Sequence, residues 1–164
     1  MNFICIGEIV NTHGIKGEVR IISDFKYKKE VLKKDFKVYI GKEKKEEVIN
    51  TYRVHKIYDM VTFKNIIDIN DVLEYKGSNV YIKREDLKID GILDEDIIGL
   101  DVYSNDKKIG KLKEIIKSKA HDILVVKNNE KKYLIPYINE FIDKIELDNK
   151  KIYIKEIEGL LDEN

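Results

Sequence analysis

The chain has 164 residues, of which 43% are hydrophobic and 38% are charged, and its basic and acidic side chains number 31 each. Such an apolar share supports a packed core and excludes wholesale disorder. The formal net charge of zero excludes a uniformly basic nucleic-acid-binding protein.

The first half of the chain is predicted to consist mainly of β-strands. Residues 3–10 form an apolar run that predicts a buried strand, and residues 18–23 alternate with Val19 and Ile21 on one face. The segment 11–17 between them contains two glycines, which permit positive φ and predict a shaped loop. Further strands are predicted at 37–40, 48–49, 52–58, 60–64 and 79–83.

Residues 68–75 form the best helix candidate of this half. Asp68 or Asn70 is suited to cap the N-terminus, and Val72 and Leu73 supply an apolar face. Gly77 stands where a glycine commonly ends a helix. The segment is therefore predicted to be a short α-helix.

The second half is predicted to form another β-rich unit. Residues 84–95 are rich in charge and poor in pattern, which predicts a linker. We place the first domain at residues 1–88, the linker at 89–96 and the second domain at 97–164. Strands are predicted at 100–103, 109–117, 123–127, 132–135, 145–147 and 151–157, with turns at 105–106, 128–130 and 148–150 and a helical turn at 137–142.

Many short strands separated by frequent turns are typical of all-β barrels or sandwiches. We expect an all-β chain of two units of about 80 residues each. A unit of that size buries only about 60% of its unfolded surface and is marginal on its own, so contact between the two units is expected.

The zero net charge conceals an asymmetry between the two halves. Residues 1–90 carry 18 basic and 15 acidic side chains, a net charge of +3, whereas residues 91–164 carry 13 and 16, a net charge of −3. Residues 26–45, named the lysine run, contain nine lysines and three acidic residues. This run is interpreted either as a solvated face or as a patch that meets phosphate, which would steer binding without making it specific.

The sequence carries no recognisable catalytic or metal-binding pattern. His13, His55 and His121 are far apart in the sequence and show no metal-ligand spacing, and Cys5 lies in an apolar run typical of a structural cysteine. The P-loop, G-x-G-x-x-G and G-x-S-x-G signatures do not occur. We therefore expect a protein without enzymatic activity, cofactor or metal; the alternative is an enzyme whose active site assembles from scattered residues.

The sequence predicts a cytoplasmic protein that does not span a membrane. No run approaches the roughly 20 apolar residues that a membrane-spanning helix needs. The first ten residues lack the basic lead-in and the cleavage pattern of a secretory signal. A single cysteine excludes an internal disulfide framework.

The loop between the first two predicted strands is a candidate contact site. Gly14 and Gly17 form a G-x-x-G pattern, which in KH domains joins two helices and clamps nucleic-acid backbone, whereas here it joins two strands. It is either a structural connection or a contact loop whose backbone approaches a phosphate or a partner chain. His13, Lys16 and Arg20 add polar or cationic side chains beside it.

An apolar segment around Pro136 is the second candidate site. Residues 133–142 combine many apolar side chains with Tyr133 and Tyr137. Part of the segment must pack in a core, yet tyrosines at the edge of a small barrel often anchor protein interfaces. Core packing and a partner surface are both open interpretations.

Several segments resemble, in order and spacing, the bacterial ribosome maturation factors of the RimM family. The segments are IVNTHGIKGEVR at 9–20, DIIGLDVY at 96–103, HDILVV at 121–126, LIPYI at 134–138 with FI at 141–142, IELD at 145–148 and EGLL at 158–161. The resemblance extends from about residue 3 to residue 162 and therefore covers nearly the whole chain.

This resemblance implies two β-barrels, the first similar to the barrel of translation elongation factors and the second a PRC-type barrel. It also implies a non-enzymatic assembly factor that binds the immature small ribosomal subunit at its head, contacts the nineteenth ribosomal protein of that subunit and assists rRNA folding and processing. The acidic second half would hold the basic ribosomal protein. The residues expected to face rRNA are His13, Gly14, Lys16, Gly17 and Arg20. The alternative is a generic RNA-binding β-barrel protein without assembly specificity.

Family members often carry an aromatic pair just before the second domain, used in ribosomal-protein binding. The matching positions hold Ile92 and Leu93, which keep the apolar character without the rings. Tyr103 or Tyr137 is suited to compensate. The predicted partner-binding residues are Ile92, Leu93, Tyr103, Tyr133, Pro136 and Tyr137. A monomer is expected, because two small cores need the available apolar residues.

Overall fold

The structure is a computed structural model in which residues 2–155 are described. Contacts divide the chain into two compact units, named unit 1 and unit 2, with the boundary between Ile89 and Asp90. Strands dominate both units, so the predicted all-β class is confirmed. The EGLL segment at 158–161 and the end of the strand predicted at 151–157 lie outside the described residues.

Unit 1 is a closed barrel of six antiparallel strands. Its strands are β1 (Phe3–His13), β2 (Glu18–Ile22), β3 (Lys37–Ile40), β4 (Lys45–His55), β5 (Tyr58–Phe63) and β6 (Asn79–Lys83). The order around the barrel is β1-β2-β5-β4-β3-β6, and β6 pairs with β1 to close it. A short helix, α1 (Lys28–Val31), lies between β2 and β3, and a 3-10 turn, Arg84–Asp86, follows β6.

Strand β1 shifts its register twice along its length, once against each of its two neighbours in the barrel. One shift lies between Cys5 and Gly7 on the β6 side, and the other lies between Ile9 and Asn11 on the β2 side. Such bulges bend a strand and increase its twist, which a small barrel needs in order to close. Gly7 also permits close approach of the backbones, since a Cβ atom there would lie 2.7 Å from the carbonyl oxygen of Ile22.

Apolar side chains from several strands form the core of unit 1. Fully buried residues with large side chains include Ile9, Ile21, Ile49, Phe63 and Ile82. Full burial of one such side chain contributes about 1.5–3 kcal/mol to stability. The alternation predicted for the second strand is observed, with Val19 and Ile21 both buried.

The segment predicted as an α-helix at 68–75 has a different helical form. It contains two consecutive 3-10 turns, Ile69–Asp71 and Leu73–Tyr75. Asp68 caps the first turn, accepting a hydrogen bond from the backbone N–H of Asn70 at 2.8 Å. Val72 and Tyr75 are both buried. The backbone N–H groups of Val72 and Tyr75 donate to the carbonyl oxygens three residues earlier, at Ile69 and Val72, so the turns are of the 3-10 type and the α-helix prediction is wrong in type. Leu73 is 51% exposed and does not share the buried face.

The hairpin between β4 and β5 turns earlier than predicted. The predicted strands 52–58 and 60–64 leave Asp59 in the turn, whereas the structure turns at Lys56 and Ile57. Lys56 adopts a positive φ of 57°, a conformation common in tight hairpin turns. Asp59 instead lies buried within β5, because two neighbouring side chains bond its carboxylate.

The described part of unit 2, residues 90–155, forms a six-stranded sheet. Its strands are β7 (Asp101–Ser104), β8 (Lys107–Ile116), β9 (Ile123–Lys127), β10 (Lys132–Pro136), β11 (Ile142–Glu146) and β12 (Lys151–Ile154). The order is β10-β9-β8-β7-β12-β11; β7 and β12 pair in parallel, and the other neighbours are antiparallel. Asn105 and Asp106 form the predicted turn between β7 and β8, both with positive φ.

A short helix, α2 (Asp94–Ile97), begins inside the segment expected to be a linker. The backbone N–H of Leu93 donates to the Asp96 carboxylate at 2.9 Å, which satisfies a donor at the helix start. Leu93 and Ile97 are buried. The apolar core of unit 2 includes Ile97, Val102, Leu112, Leu124, Val126, Ile135 and Ile152. The end of the expected linker therefore belongs structurally to unit 2.

Strands β8 and β9 approach so closely at Gly110 that a side chain is excluded there. A Cβ atom at this position would lie 2.5 Å from the carbonyl oxygen of Lys127 and 2.7 Å from its carbon. We expect Gly110→Ala to lower the free energy of unfolding by about 1–3 kcal/mol, because the two strands must move apart. Urea denaturation measures this change.

The control for this prediction is Lys113→Ala, which shortens an exposed side chain on the same strand. It should change the free energy of unfolding by no more than about 0.5 kcal/mol. Equal stability of the two variants would show that the close approach at Gly110 does not constrain the sheet.

Candidate functional site

The loop between β1 and β2 has the shape predicted from its glycines. Gly14 has a φ of 69° and Gly17 a φ of 95°, both in the left-handed region. Among the described residues, a Cβ atom at Gly14 would meet nothing within 4 Å, whereas one at Gly17 would lie 3.0 Å from Cγ2 of Ile66. Gly14 is therefore accessible to a partner, and Gly17 is a packing position.

The tip of this loop is exposed but held in place. Ile15 is 78% exposed, and Lys16 is exposed beside it. The backbone N–H of Ile69 donates to the carbonyl oxygen of Ile15 at 3.0 Å, which ties the tip to the 3-10 segment. The loop therefore presents an apolar and a cationic side chain on a fixed backbone.

The structure brings His13 and Arg20 together beside this loop. Nη2 of Arg20 lies 2.8 Å from Nδ1 of His13, and the guanidinium carbon lies 5.3 Å from the centre of the Tyr58 ring. Because a guanidinium only donates, Nδ1 of His13 accepts, which requires a neutral imidazole with its proton on Nε2. Arg20 is thus oriented by a neutral ring and an aromatic face, and it keeps its positive charge.

A neighbouring pair neutralises the other arginine of this face. Nε of Arg53 lies 2.9 Å from Oε2 of Glu18, and Nη2 lies 2.7 Å from Oε1. These hydrogen bonds hold the pKa of Glu18 below its usual value, while partial burial acts in the opposite direction. The predicted contact of His13, Arg20 and the loop with RNA stays a prediction.

The lysine run does not form one continuous cationic patch. Its ion pairs are Lys28–Asp59 at 3.0 Å, Lys45–Glu74 at 3.4 Å and Lys37–Glu46 at 4.0 Å. Its exposed members include Lys26, Lys29, Lys33, Lys34 and Lys42. The run therefore contains ion-paired lysines and, among the described residues, exposed lysines outside these pairs, and contact of any of them with phosphate stays a prediction.

The six predicted partner-binding residues occupy different environments in unit 2. Leu93 and Tyr133 are 6% and 8% exposed, so their side chains belong to the interior. Ile92 is 37% exposed. The half-buried members are Tyr103, Pro136 and Tyr137. Ile92 is therefore the member best placed to touch a partner, and the role of the set stays a prediction.

Ile92 borders a groove of 470 Å³ whose lining continues along the connection from β11 to β12. Ile145 and Leu147 add apolar surface to this feature, named the Ile92 groove, and Glu146 and Asp148 add negative charge. Apolar surface beside acidic groups suits a basic protein segment. In the sequence these four residues are part of a predicted strand and turn and of the family resemblance, and their alternation of apolar and acidic types is the signal that points to this groove.

Tyr137 and Tyr103 lie in separate surroundings. The backbone N–H of Tyr137 donates to the carbonyl oxygen of Asp122 at 2.8 Å, and Lys117 bonds both Asp122 and Asp94. Burial raises the pKa of Tyr137, and the negative charge of Asp94 adds to the effect. Tyr103 lies on β7, its ring 5.7 Å from that of a tyrosine of β12. The predicted set is therefore not one cluster.

The described part of the chain offers neither a cluster of metal ligands nor a membrane-spanning helix. Residues 2–155 contain no group of three His, Cys, Asp or Glu side chains placed to hold a metal ion. No helix in the same part of the chain is long and apolar enough to cross a bilayer. The expectation that the protein needs no metal or cofactor stays a prediction.

Two family models match the chain, one in each unit. The model of the RimM N-terminal domain matches residues 4–87. The model of the RimM PRC barrel domain matches residues 94–160. Together the two matches cover most of the chain.

Curated relatives match over nearly the whole length. The ribosome maturation factor RimM of Streptococcus suis (strain 05ZYH33) is 39% identical over a 172-residue alignment that covers 100% of both chains. That of Staphylococcus haemolyticus (strain JCSC1435) is 41% identical and covers 96% of this chain and 98% of the relative. A crystal structure of a 16S ribosomal RNA processing protein RimM from Pseudomonas aeruginosa is 19% identical, covers 95% of this chain and 98% of that chain, and gives a TM-score of 0.44. On its two domain matches and its full-length relatives, the chain belongs to the RimM family.

Proposed function

We propose that this protein is a cytoplasmic ribosome maturation factor that binds the immature small ribosomal subunit at its head and assists rRNA folding and processing. The names of the full-length relatives support the general role. The observation that supports a protein partner is the Ile92 groove, where exposed apolar and acidic residues lie together. A basic ribosomal protein of the head, the nineteenth of the small subunit, is the proposed occupant.

The chemistry of the groove suits this occupant in two ways. Ile92 and Leu147 are 37% and 41% exposed, so a partner would remove apolar surface from water. Glu146 and Asp148 add to the net charge of −3 that residues 91–164 carry. Charge complementarity speeds encounter and sets orientation, while the buried apolar anchor supplies most of the affinity.

Unit 1 would contact rRNA through the loop between β1 and β2. Gly14 leaves the backbone accessible, and Lys16 and Arg20 bring positive charge to the same end of the hairpin. Contacts of this kind position a protein on the phosphate backbone and do not read the sequence. Specificity would then come from the protein partner of unit 2.

Such a factor acts by binding one arrangement of the subunit head more tightly than another. A ligand shifts an equilibrium only by its difference in affinity for the two states. The protein should therefore bind immature subunits more tightly than mature ones. No chemical step on the RNA is required of it.

Co-sedimentation of the purified protein with immature and mature small subunits tests this proposal. We expect preferential binding to immature particles, retained when the salt concentration is raised from about 0.1 M to about 0.3 M, because apolar contacts are not screened. Equal affinity for both particles would contradict the proposed mechanism. Binding to naked rRNA as strong as binding to particles, with a steep salt dependence, would favour the generic RNA-binding alternative.

The variant Ile92→Glu tests the Ile92 groove. A charge in place of the exposed apolar side chain should weaken binding to immature subunits by about tenfold or more, as expected for an anchor residue. The dissociation constant from co-sedimentation measures this loss. Circular dichroism checks that the fold is retained.

The matched control is Ile116→Glu, which adds the same charge at an exposed isoleucine of β8 that does not line the groove. We expect its binding to remain within about twofold of the unchanged protein. Equal weakening by both variants would indicate a general effect of charge and would remove the groove from the interface.

A further inference from the structure

A second cavity, of 620 Å³, lies in unit 1 between the segment that contains α1 and the β4–β5 hairpin. Its described lining includes no residue of the loop between β1 and β2 or of the Ile92 groove, although Arg20 beside that loop lies over Tyr58 of the lining, and the proposed function assigns the cavity no role. Its volume falls within the range of about 300–1,000 Å³ typical of small-molecule sites. It is named the Tyr52 pocket after a tyrosine in its lining.

The buried end of the Tyr52 pocket is a preorganised polar cluster. Asp59 is 2% exposed, and its carboxylate accepts hydrogen bonds from Nζ of Lys28 at 3.0 Å and from the hydroxyl of Tyr52 at 2.6 Å. Burial and the Asp59 carboxylate raise the pKa of Tyr52 to about 12, so the hydroxyl stays protonated and keeps donating. The Tyr52 ring is therefore fixed, and the charges of Lys28 and Asp59 compensate each other.

Aromatic rings make up a large part of the pocket lining. The four rings are Phe25, Tyr27, Tyr52 and Tyr58. Phe25 and Tyr27 meet edge to face with their centres 6.1 Å apart. Cations lie over two of the rings, since Arg20 is 5.3 Å from the centre of Tyr58 and Lys26 is 5.4 Å from that of Tyr27. Aromatic faces of this kind stack with nucleic-acid bases without regard to base identity.

Positive charge exceeds negative charge around the pocket. Four lysines line it, and Glu30 and Asp59 are the acidic residues among the described lining. The negative charge of Asp59 is compensated by Lys28. Among the described lining residues, Glu30 alone is then left to offset the positive charges of the exposed Lys26, Lys29 and Lys56. An anionic ligand therefore suits the opening of the pocket.

Exposed apolar side chains also line the pocket. Val54 is 64% exposed and Ile57 is 75% exposed, both on the β4–β5 hairpin. Clusters of exposed apolar residues rimmed by charge are typical of binding sites. A ligand that combines a planar ring with a phosphate would cover the apolar and aromatic surface and also meet the lysines.

We propose that the Tyr52 pocket binds a nucleotide of single-stranded rRNA, with the base on the aromatic lining and the phosphate among Lys26, Lys29 and Lys56. This inference rests on the proposed function and specifies how unit 1 would hold RNA. An acidic peptide would meet the same lysines, but it lacks the planar rings that four aromatic side chains accommodate. Single-stranded RNA, whose bases are free to stack, fits better than a duplex.

Fluorescence anisotropy of the full chain with a labelled single-stranded RNA of about ten nucleotides tests this inference. The pocket variant replaces Lys26, Lys29 and Lys56 by glutamine. The control variant replaces Lys33, Lys34 and Lys42 by glutamine, which removes the same charge from exposed lysines of unit 1 that do not line the pocket. We expect about tenfold weaker binding for the pocket variant and at most about twofold for the control.

A third variant, Phe25→Leu, removes one ring and keeps an apolar side chain. It should weaken RNA binding several-fold without changing the salt dependence, because stacking is lost while the charges stay. Equal loss from both lysine variants would overturn the proposal in favour of a diffuse cationic surface. Binding of a labelled glutamate-rich peptide or of a duplex as tight as that of the single strand would overturn it as well.

The same variants separate this inference from the proposed function. If the pocket variant binds the RNA normally while the unchanged protein still prefers immature subunits, only the pocket assignment fails. If the unchanged protein binds single-stranded RNA through the pocket but shows no preference for immature subunits, the maturation role fails and the RNA site stands.

Discussion

Closure of unit 1 depends on strands that bend: β1 has two register shifts and β4 has one. Strand β1 must pair with β2 on one edge and with β6 on the other, and it does so through two register shifts and a glycine against which the backbone of β2 packs. This register also sets which side chains of the hairpin face outward, since a slip of one residue would exchange the two faces. The positions of His13 and Arg20 beside the loop therefore follow from the same constraint that closes the barrel.

The zero net charge of the chain is the sum of surfaces with opposite character. Unit 1 places several lysines in ion pairs and leaves others exposed, whereas unit 2 combines acidic residues with apolar ones in the Ile92 groove. Each unit therefore has a local charge that differs from the net charge of the whole chain. The overall composition does not reveal this difference between the units, because binding at a surface depends on the charges near it and not on the net charge of the chain.

Much of the fold could be predicted because it depends on local patterns. Alternation of apolar and polar residues predicts most of the strands. Gly14 and Gly17 predict the shape of the β1–β2 loop, and Asn105 and Asp106 predict a turn, because each of these positions has a positive φ. The β4–β5 turn has no local signal, because the bonding of Asp59 by Lys28 and Tyr52 decides its position. The 3-10 turns have none either, because side chains three residues apart share a face in an α-helix as well. The Ile92 groove and the Tyr52 pocket each combine residues that are distant in the sequence, so local patterns do not predict them as sites. The one local signal of the Tyr52 pocket among its described lining residues is the alternation of aromatic residues and lysines at 25–29.

The parallel pairing of β7 with β12 has a consequence for synthesis of the chain. Among the described residues these are the first and last strands of unit 2, and β7 lies inside the sheet between β8 and β12. During translation, unit 1 has all six of its strands well before β12 leaves the ribosome, so it can fold first. Until then β7 exposes an unpaired edge, of the kind on which chains aggregate. A messenger truncated before codon 151 would therefore yield a folded barrel joined to an incomplete, association-prone sheet.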